Sequence, residues 1–121
     1  MVRLWRAGDE DTVKITVLIK YRDKDRPNGD HQAHPILLDY HTVVAGKIVK
    51  KTKEILTPGR ISLDVNDSFY LVAKGQARSQ GGTKTMSELS IEVGERNNNK
   101  TVQIVYDFST HTLTHTWLDD A

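Results

Sequence analysis

Apolar and polar residues alternate along most of this chain, and the alternation has a period of two. Val13, Ile15, Val17, Ile19 and Tyr21 take one phase, and Lys14, Thr16, Leu18 and Lys20 the other. That period puts side chains on opposite faces of a strand, and the β-branched residues favour one. Residues 46–75 repeat the signal as three short strands parted by turns at Pro58-Gly59 and Asn66-Asp67, with Ile61, Leu63 and Val65 against Ser62 and Asp64. A ribbon of this kind needs a second layer for its apolar face. The rest of the chain supplies candidates. Residues 34–40 read as a strand, and 42–49 as a third or as a continuation with a bend or bulge near Ala45-Gly46. Residues 60–65 and 68–74 read as two more. Met86 is out of phase with Leu89, Ile91 and Val93, so the strand after 84 is expected to start near Glu88. Val102, Ile104, Tyr106 and Phe108 alternate with Gln103, Val105 and Asp107. In the last strand, 111–118, His111, Leu113, His115 and Trp117 share one phase, and Thr112, Thr114 and Thr116 the other.

The punctuation agrees with strands. Pro27-Asn28-Gly29 sits in a charged turn, where proline presets φ and Asn-Gly accepts positive φ. Residues 95–100, ERNNNK, read as a hairpin turn. Residues 75–83, GQARSQGGT, are polar and glycine-rich and read as a mobile loop. Residues 47–56 could be helical by composition, but Ile48, Val49, Thr52 and Ile55 favour a strand. Short strands at this spacing predict a two-layer all-β sandwich, immunoglobulin-like or transthyretin-like, with about seven to eight strands. Residues 1–121 are expected to form one domain, with 1–11 as a possible arm carrying Leu4 and Trp5.

Composition narrows the function classes. The apolar fraction is 37%, low enough to imply a thin core with much polar surface. Net charge is +1, so no overall field selects nucleic acid or an anionic membrane. There is no cysteine, which excludes disulfides, thiolate metal sites and a cysteine nucleophile. The first residues lack an apolar stretch of the signal-peptide kind, and no run is long enough to span a membrane. The sequence leaves the compartment open beyond synthesis in the cytoplasm.

The candidate chemistry is sparse. Of the five histidines, His111 and His115 share a strand face but stand about 13–14 Å apart along it, too far to share one ion. His31 and His34 lie on a turn, where chelation is easier, but no tight ligand motif surrounds them, and no cofactor or metal is expected. Asp64 and Asp67 flank a turn and read as solvated carboxylates rather than an acid–base pair. No serine sits in a Gly-x-Ser-x-Gly elbow. Gly81-Gly82-Thr83-Lys84 lacks the spacing and the following helix of a phosphate loop. The lysines at 47, 50, 51 and 53 could meet phosphates. With few aromatics among them they read as protection of a sheet edge. Trp5 and Trp117 could stack on a sugar, but Trp117 reads more simply as a core lid.

Residues 13–75 resemble transthyretin-like and carboxypeptidase-regulatory-like β-sandwich modules. The matching pieces are 30–38, 46–49, Thr57-Pro58-Gly59-Arg60, Ile61 to Val65 with its alternating phase, and 69–72. Asn66-Asp67-Ser68 stands where those modules usually carry a Pro-Pro-Gly-like turn. The Tyr-Arg-Gly-Ser ending of the related urate-pathway hydrolases is absent, so the resemblance carries over no catalytic residue. It implies an interaction or spacer module. The expectation is therefore a non-enzymatic protein-interaction or structural module, with a carbohydrate- or small-ligand-binding sandwich as the alternative. Its partner is expected to be another protein, or a second copy of the chain, with nucleic acid disfavoured. The candidate contact residues are Thr112, Thr114, Thr116 and Trp117 on the last strand, and Arg78 and Gln80 in the glycine-rich stretch.

Overall fold

The computed structural model describes residues 12–22, 35–55, 59–79, 82–107 and 110–118. The expected arm at 1–11 with Trp5, the Pro27 turn, His31, His34 and Gln80 lie outside them. Eight strands occur among the described residues: β1 Thr12–Arg22, β2 Ile36–Val44, β3 Lys47–Ile55, β4 Gly59–Asn66, β5 Leu71–Ser79, β6 Gly82–Ile91, β7 Lys100–Asp107 and β8 Thr112–Leu118. They form two four-stranded sheets, β4-β1-β7-β8 and β3-β2-β5-β6. The all-β sandwich is thus the observed fold. Pairing is antiparallel except between β1 and β7, which run parallel with Val17 opposite Val102 and Ile19 opposite Ile104.

The period-two phases point where the sequence places them. Val13, Ile15, Val17 and Ile19 of β1 meet Val102, Ile104 and Tyr106 of β7, with Leu63 and Val65 of β4 beside them. The opposite sheet supplies Ile36, Leu38 and Tyr40 of β2, Leu71 and Ala73 of β5, and Ile91. Ile61 is only half-buried, because it lies toward the outer end of an edge strand.

Several expectations are corrected. Residues 46–75 do not form one ribbon, since β3 and β5 belong to one sheet and β4 to the other. Ala45-Gly46 makes a complete reversal rather than a bend. Both residues have positive φ, 53° and 78°, the requirement of a two-residue hairpin whose twist matches its strands. Alanine lacks the Asn-Gly signature that would announce such a turn and is strained there. Ala45→Asn should therefore raise stability by about 0.5–1 kcal/mol, read as an increased denaturant midpoint at unchanged slope.

The glycine-rich stretch is largely strand. Gly75 to Ser79 complete β5, and β6 begins at Gly82. Gly75 is small because a Cβ there would stand 2.7 Å from Cζ of Tyr106. Gln76 is buried, its backbone N–H donates to the Pro35 carbonyl (2.9 Å), and its side-chain amide donates to Thr85 (2.8 Å). Met86 breaks phase because of a bulge: Gly75 pairs with Ser87, while Gln76 pairs with Thr85, leaving Met86 as the extra residue. The strand starts at Gly82, not near Glu88.

Residues 95–100 are not a hairpin either, because β6 and β7 lie in different sheets. A 3-10 turn at Glu95–Asn97 carries the chain across. Asn98 accepts the Lys14 N–H (3.0 Å), and the Asn99 N–H donates to the Lys14 carbonyl (2.6 Å). These bonds pin the crossover to β1 and bring β7 in parallel. Asn99 has the positive φ (65°) that asparagine tolerates.

Candidate functional site

The richest side-chain cluster lies on the outer face of the β3-β2-β5-β6 sheet. In β2 the residues Ile36, Leu38, Tyr40 and Thr42 face inward, so Leu37, Asp39, His41 and Val43 face out. The register sets Asp39 between Thr52 of β3 and Val72 of β5, His41 beside Lys50, and Val43 beside Ile48. One row further along, Leu37 lies beside Lys74, which pairs with Glu88 of β6.

Asp39 is the anchor of this face. Its side chain is 12% exposed; Thr52 donates its hydroxyl hydrogen to one carboxylate oxygen (2.6 Å), and the Lys74 ammonium meets the other (3.0 Å). Burial alone would raise its pKa. The hydrogen bonds from Thr52 and Lys74, with the charges of Lys74 and Lys50, outweigh burial and hold it below the usual value. Lys74 is raised in turn, chiefly by its hydrogen bond to Asp39 and that carboxylate's charge, with Glu88 at 4.0 Å adding to the effect.

A carboxyl whose folded pKa lies below its unfolded one stabilises the fold fully above the unfolded value of about 3.8, and this contribution is lost as pH falls through the folded value. Stability should therefore decline on acidification below about pH 4, and Asp39→Asn should flatten that decline. Denaturant melts of both proteins between neutral and acid pH check this. Equal acid slopes would contradict it.

An aromatic ridge stands beside the anchor. At the end of β4 the Asn66 side chain accepts the Ser68 N–H (3.0 Å), and the Phe69 N–H reaches the Asn66 carbonyl (3.4 Å). This Asx turn carries the chain to the other sheet and lays Phe69 over His41, with ring centroids 3.8 Å apart and planes 16° from parallel. Phe69 remains 42% exposed and Tyr70 58%, a pair of large rings open to solvent side by side. Tyr70 walls a groove of about 190 Å³ whose other sides are Asp39, His41, Lys50, Val72, Lys74 and Glu88. Tyr70 also borders a second hollow of about 180 Å³, whose other lining residues are Phe69, Asp67, Ser68, Glu92 and Val93. Tyr70 thus stands between the two depressions, and Phe69 lines the second beside it. The His41 Nδ1 atom is shielded and has no hydrogen-bond partner among the described residues.

The residues expected from the sequence to make contacts lie elsewhere. Thr112, Thr114 and Thr116 are exposed on β8, on the outer face of the other sheet. Trp117 lies opposite Val102, half-buried against the core, as a lid would be. Arg78 pairs through its backbone with Thr83 near the β5–β6 turn. His115 shares the phase of Leu113 and Trp117, as expected, but is exposed, and His111, also exposed, lies outside the strand. His111 sits in the turn before β8 with φ 53°, and β8 is an edge strand whose inner phase is only partly covered. Among the described residues no group of three His, Asp or Glu side chains gathers as a metal ion would require. Asp64 and Asp67 do not converge: Asp64 lies opposite Lys14 on β4, and Asp67 lines the second hollow. The lysine stripe occupies the edge strand β3 and is divided between two faces. Lys50 lies with His41 on the outer phase, whereas Lys47, Lys51 and Lys53 lie opposite Val44, Tyr40 and Leu38 on the inner one.

Sequence reasoning missed Asp39, His41, Phe69, Tyr70 and Lys74. Asp39 did leave a signal, as a lone acid inside the otherwise apolar run ILLDY. Phe69 and Tyr70 follow a turn, where strand phase is undefined, so periodicity could not place them outside.

No protein-family model and no curated protein matches the chain. Among solved structures, it is similar to a Gram-negative toxin at 10% identity, over 92% of this chain and 23% of that one, with a TM-score of 0.37. It is also similar to pneumolysin at 12% identity, over 90% of this chain and 24% of that one, with a TM-score of 0.38. The chain thus spans about a quarter of the length of each, and likenesses at these scores carry no argument about what it does.

Proposed function

We propose that this chain is a non-enzymatic protein-interaction module whose partner docks on the outer face of the β3-β2-β5-β6 sheet, around Tyr70. The observation that carries the reading is the exposed Phe69–Tyr70 ridge beside a groove whose charged wall is already fixed by the Asp39–Lys74–Thr52 contacts. Tyrosine next to a pocket is a favoured anchor of protein interfaces, and a prearranged polar wall lowers the cost of ordering on binding. Groove size supports the same reading. At about 190 Å³ it falls below the ~300–1,000 Å³ of ordinary small-molecule pockets and suits one inserted side chain. The acid–base picture agrees, because a general acid or base needs a pKa near the working pH, and Asp39 is shifted the other way. The resemblance of residues 13–75 to transthyretin-like interaction modules supports the reading as well.

A second reading rests on the ring of Tyr70 beside carboxylate and ammonium groups, a set that could hold a single sugar residue by stacking and hydrogen bonds. Capture from extracts of the source separates the two. A protein should be retained by the wild-type chain, and Tyr70→Ala should weaken its binding by about tenfold or more. Because Tyr70 is exposed, the same change should leave stability within about 0.5 kcal/mol. Equal binding by Tyr70→Ala defeats the docking proposal. A monosaccharide that shifts Tyr70 resonances, with no protein retained, favours the second reading.

A further inference from the structure

A sandwich of two open sheets has four edges, here β4, β8, β3 and β6. Each edge strand presents unpaired backbone N–H and C=O groups that can recruit another strand, and folded proteins block such edges with charge or bulges. Three of the four are blocked in this way. β3 carries Lys47, Lys50, Lys51 and Lys53, three of them on its inner phase, where a pairing strand would have to bury them. β6 carries the bulge at Met86, with Lys84 and Glu88 on either side. β4 carries Arg60 and Asp64. β8 has none of these features: Thr112–Leu118, TLTHTWL, contains no Asp, Glu, Lys, Arg, Pro or Gly, and its register with β7 is unbroken over all seven residues. Among the described residues no strand pairs with its outer edge.

We infer that β8 is a self-association edge, at which two copies of this chain pair β8 to β8 in antiparallel fashion and join their β4-β1-β7-β8 sheets into one continuous sheet. The sequence of β8 is complementary to itself about His115. Centring a two-fold axis there sets Thr114 opposite Thr116, Leu113 opposite Trp117 and Thr112 opposite Leu118. Each threonine of the central pair then faces a threonine, a favourable cross-strand pair on a solvated face. On the other face Leu113 and Trp117, both only half-buried against their own core, would cover one another across the axis. A two-fold contact of this kind closes on itself and leaves no further β8 edge to propagate. The surface is separate from the Tyr70 groove, which lies on the other sheet, so the two proposals stand or fall independently.

The absence of native cysteine allows a direct test. In the proposed register the two copies of residue 115 face each other at the ~4.5–5.5 Å Cα spacing of antiparallel neighbours, within the range a disulfide spans. His115→Cys, at an exposed position, should form a disulfide-linked dimer as its major species under mild oxidation. Ser62→Cys, exposed on the blocked β4 edge, should stay monomeric. Thr114→Cys mixed with Thr116→Cys should cross-link to each other more than either does to itself. The wild-type chain should sediment as a dimer at high micromolar concentration, and the double change Thr114→Lys with Thr116→Lys, which sets like charges opposite, should sediment as a monomer with unchanged circular dichroism. A monomeric wild-type chain, a His115→Cys chain that stays uncross-linked, or equal cross-linking at residue 62 overturns the inference. Exchange-protected β8 edge amides in a monomer would also overturn it, by giving the edge to another segment of the chain.

Discussion

Replacing Ile15 by alanine is expected to cost about 2–5 kcal/mol, enough to remove much of the stability of a domain of this size. Ile15 is 1% exposed and lies on β1, which has a partner on both sides: Leu63 of β4 faces it in one direction and β7 runs parallel in the other. Its side chain fills the space between the two sheets, where β1 and β7 cannot close inward without breaking their ladders. The cavity would therefore persist, and the cavity cost adds to the lost transfer energy. Urea melts measure the difference at constant slope. A loss below about half a kcal/mol would mean that the inner phase of β1 is wrongly assigned.

Gly75→Ala should be nearly as damaging, at about 1–3 kcal/mol, although it adds only one methyl group. The new Cβ would stand 2.7 and 2.8 Å from two ring carbons of Tyr106 and 3.0 Å from the Ser87 hydroxyl. The ring cannot swing away freely. It is fully buried, and its hydroxyl donates to the Gln76 carbonyl (3.1 Å) on the same strand as Gly75. Cutting Tyr106 back to leucine makes room, so Gly75→Ala should cost less in a Tyr106→Leu background than alone. A double-mutant cycle reads that coupling, and strict additivity would show that the ring does not set the identity of residue 75.

These two positions also show how far the sequence could be read. Ile15 was legible because strand phase is local: β-branched residues at every second position leave no other face for the core. Gly75 was not. In sequence a glycine in a polar stretch signals a loop, whereas here pairing with Ile36 and Ser87 makes it part of a strand, and the approach of Tyr106, 31 residues away in the numbering but adjacent in space, requires it to be small. The bulge at Met86 was visible as a break in phase, though its partner was not. The Ala45-Gly46 reversal was hidden because alanine, strained at that φ, does not announce the turn as asparagine would have. Sheet membership was the least legible feature. Periodicity says which face of a strand is apolar but not which sheet it joins, so 46–75 read as one ribbon although β4 crosses over. The candidate site suffered most, because it is assembled across strands: Asp39 from β2, Thr52 from β3, Lys74 from β5, and an aromatic pair from a turn. The threonines of β8 stood out by their spacing and occupy the opposite sheet.

Amide and side-chain resonances of the labelled chain, recorded with and without the protein it captures, test the docking account most directly. The account predicts that shifts concentrate at His41, Lys50, Phe69, Tyr70, Val72 and Lys74, on one face of the β3-β2-β5-β6 sheet. Shifts confined to the other sheet, or to β8, with the Tyr70 groove unmoved, would contradict it.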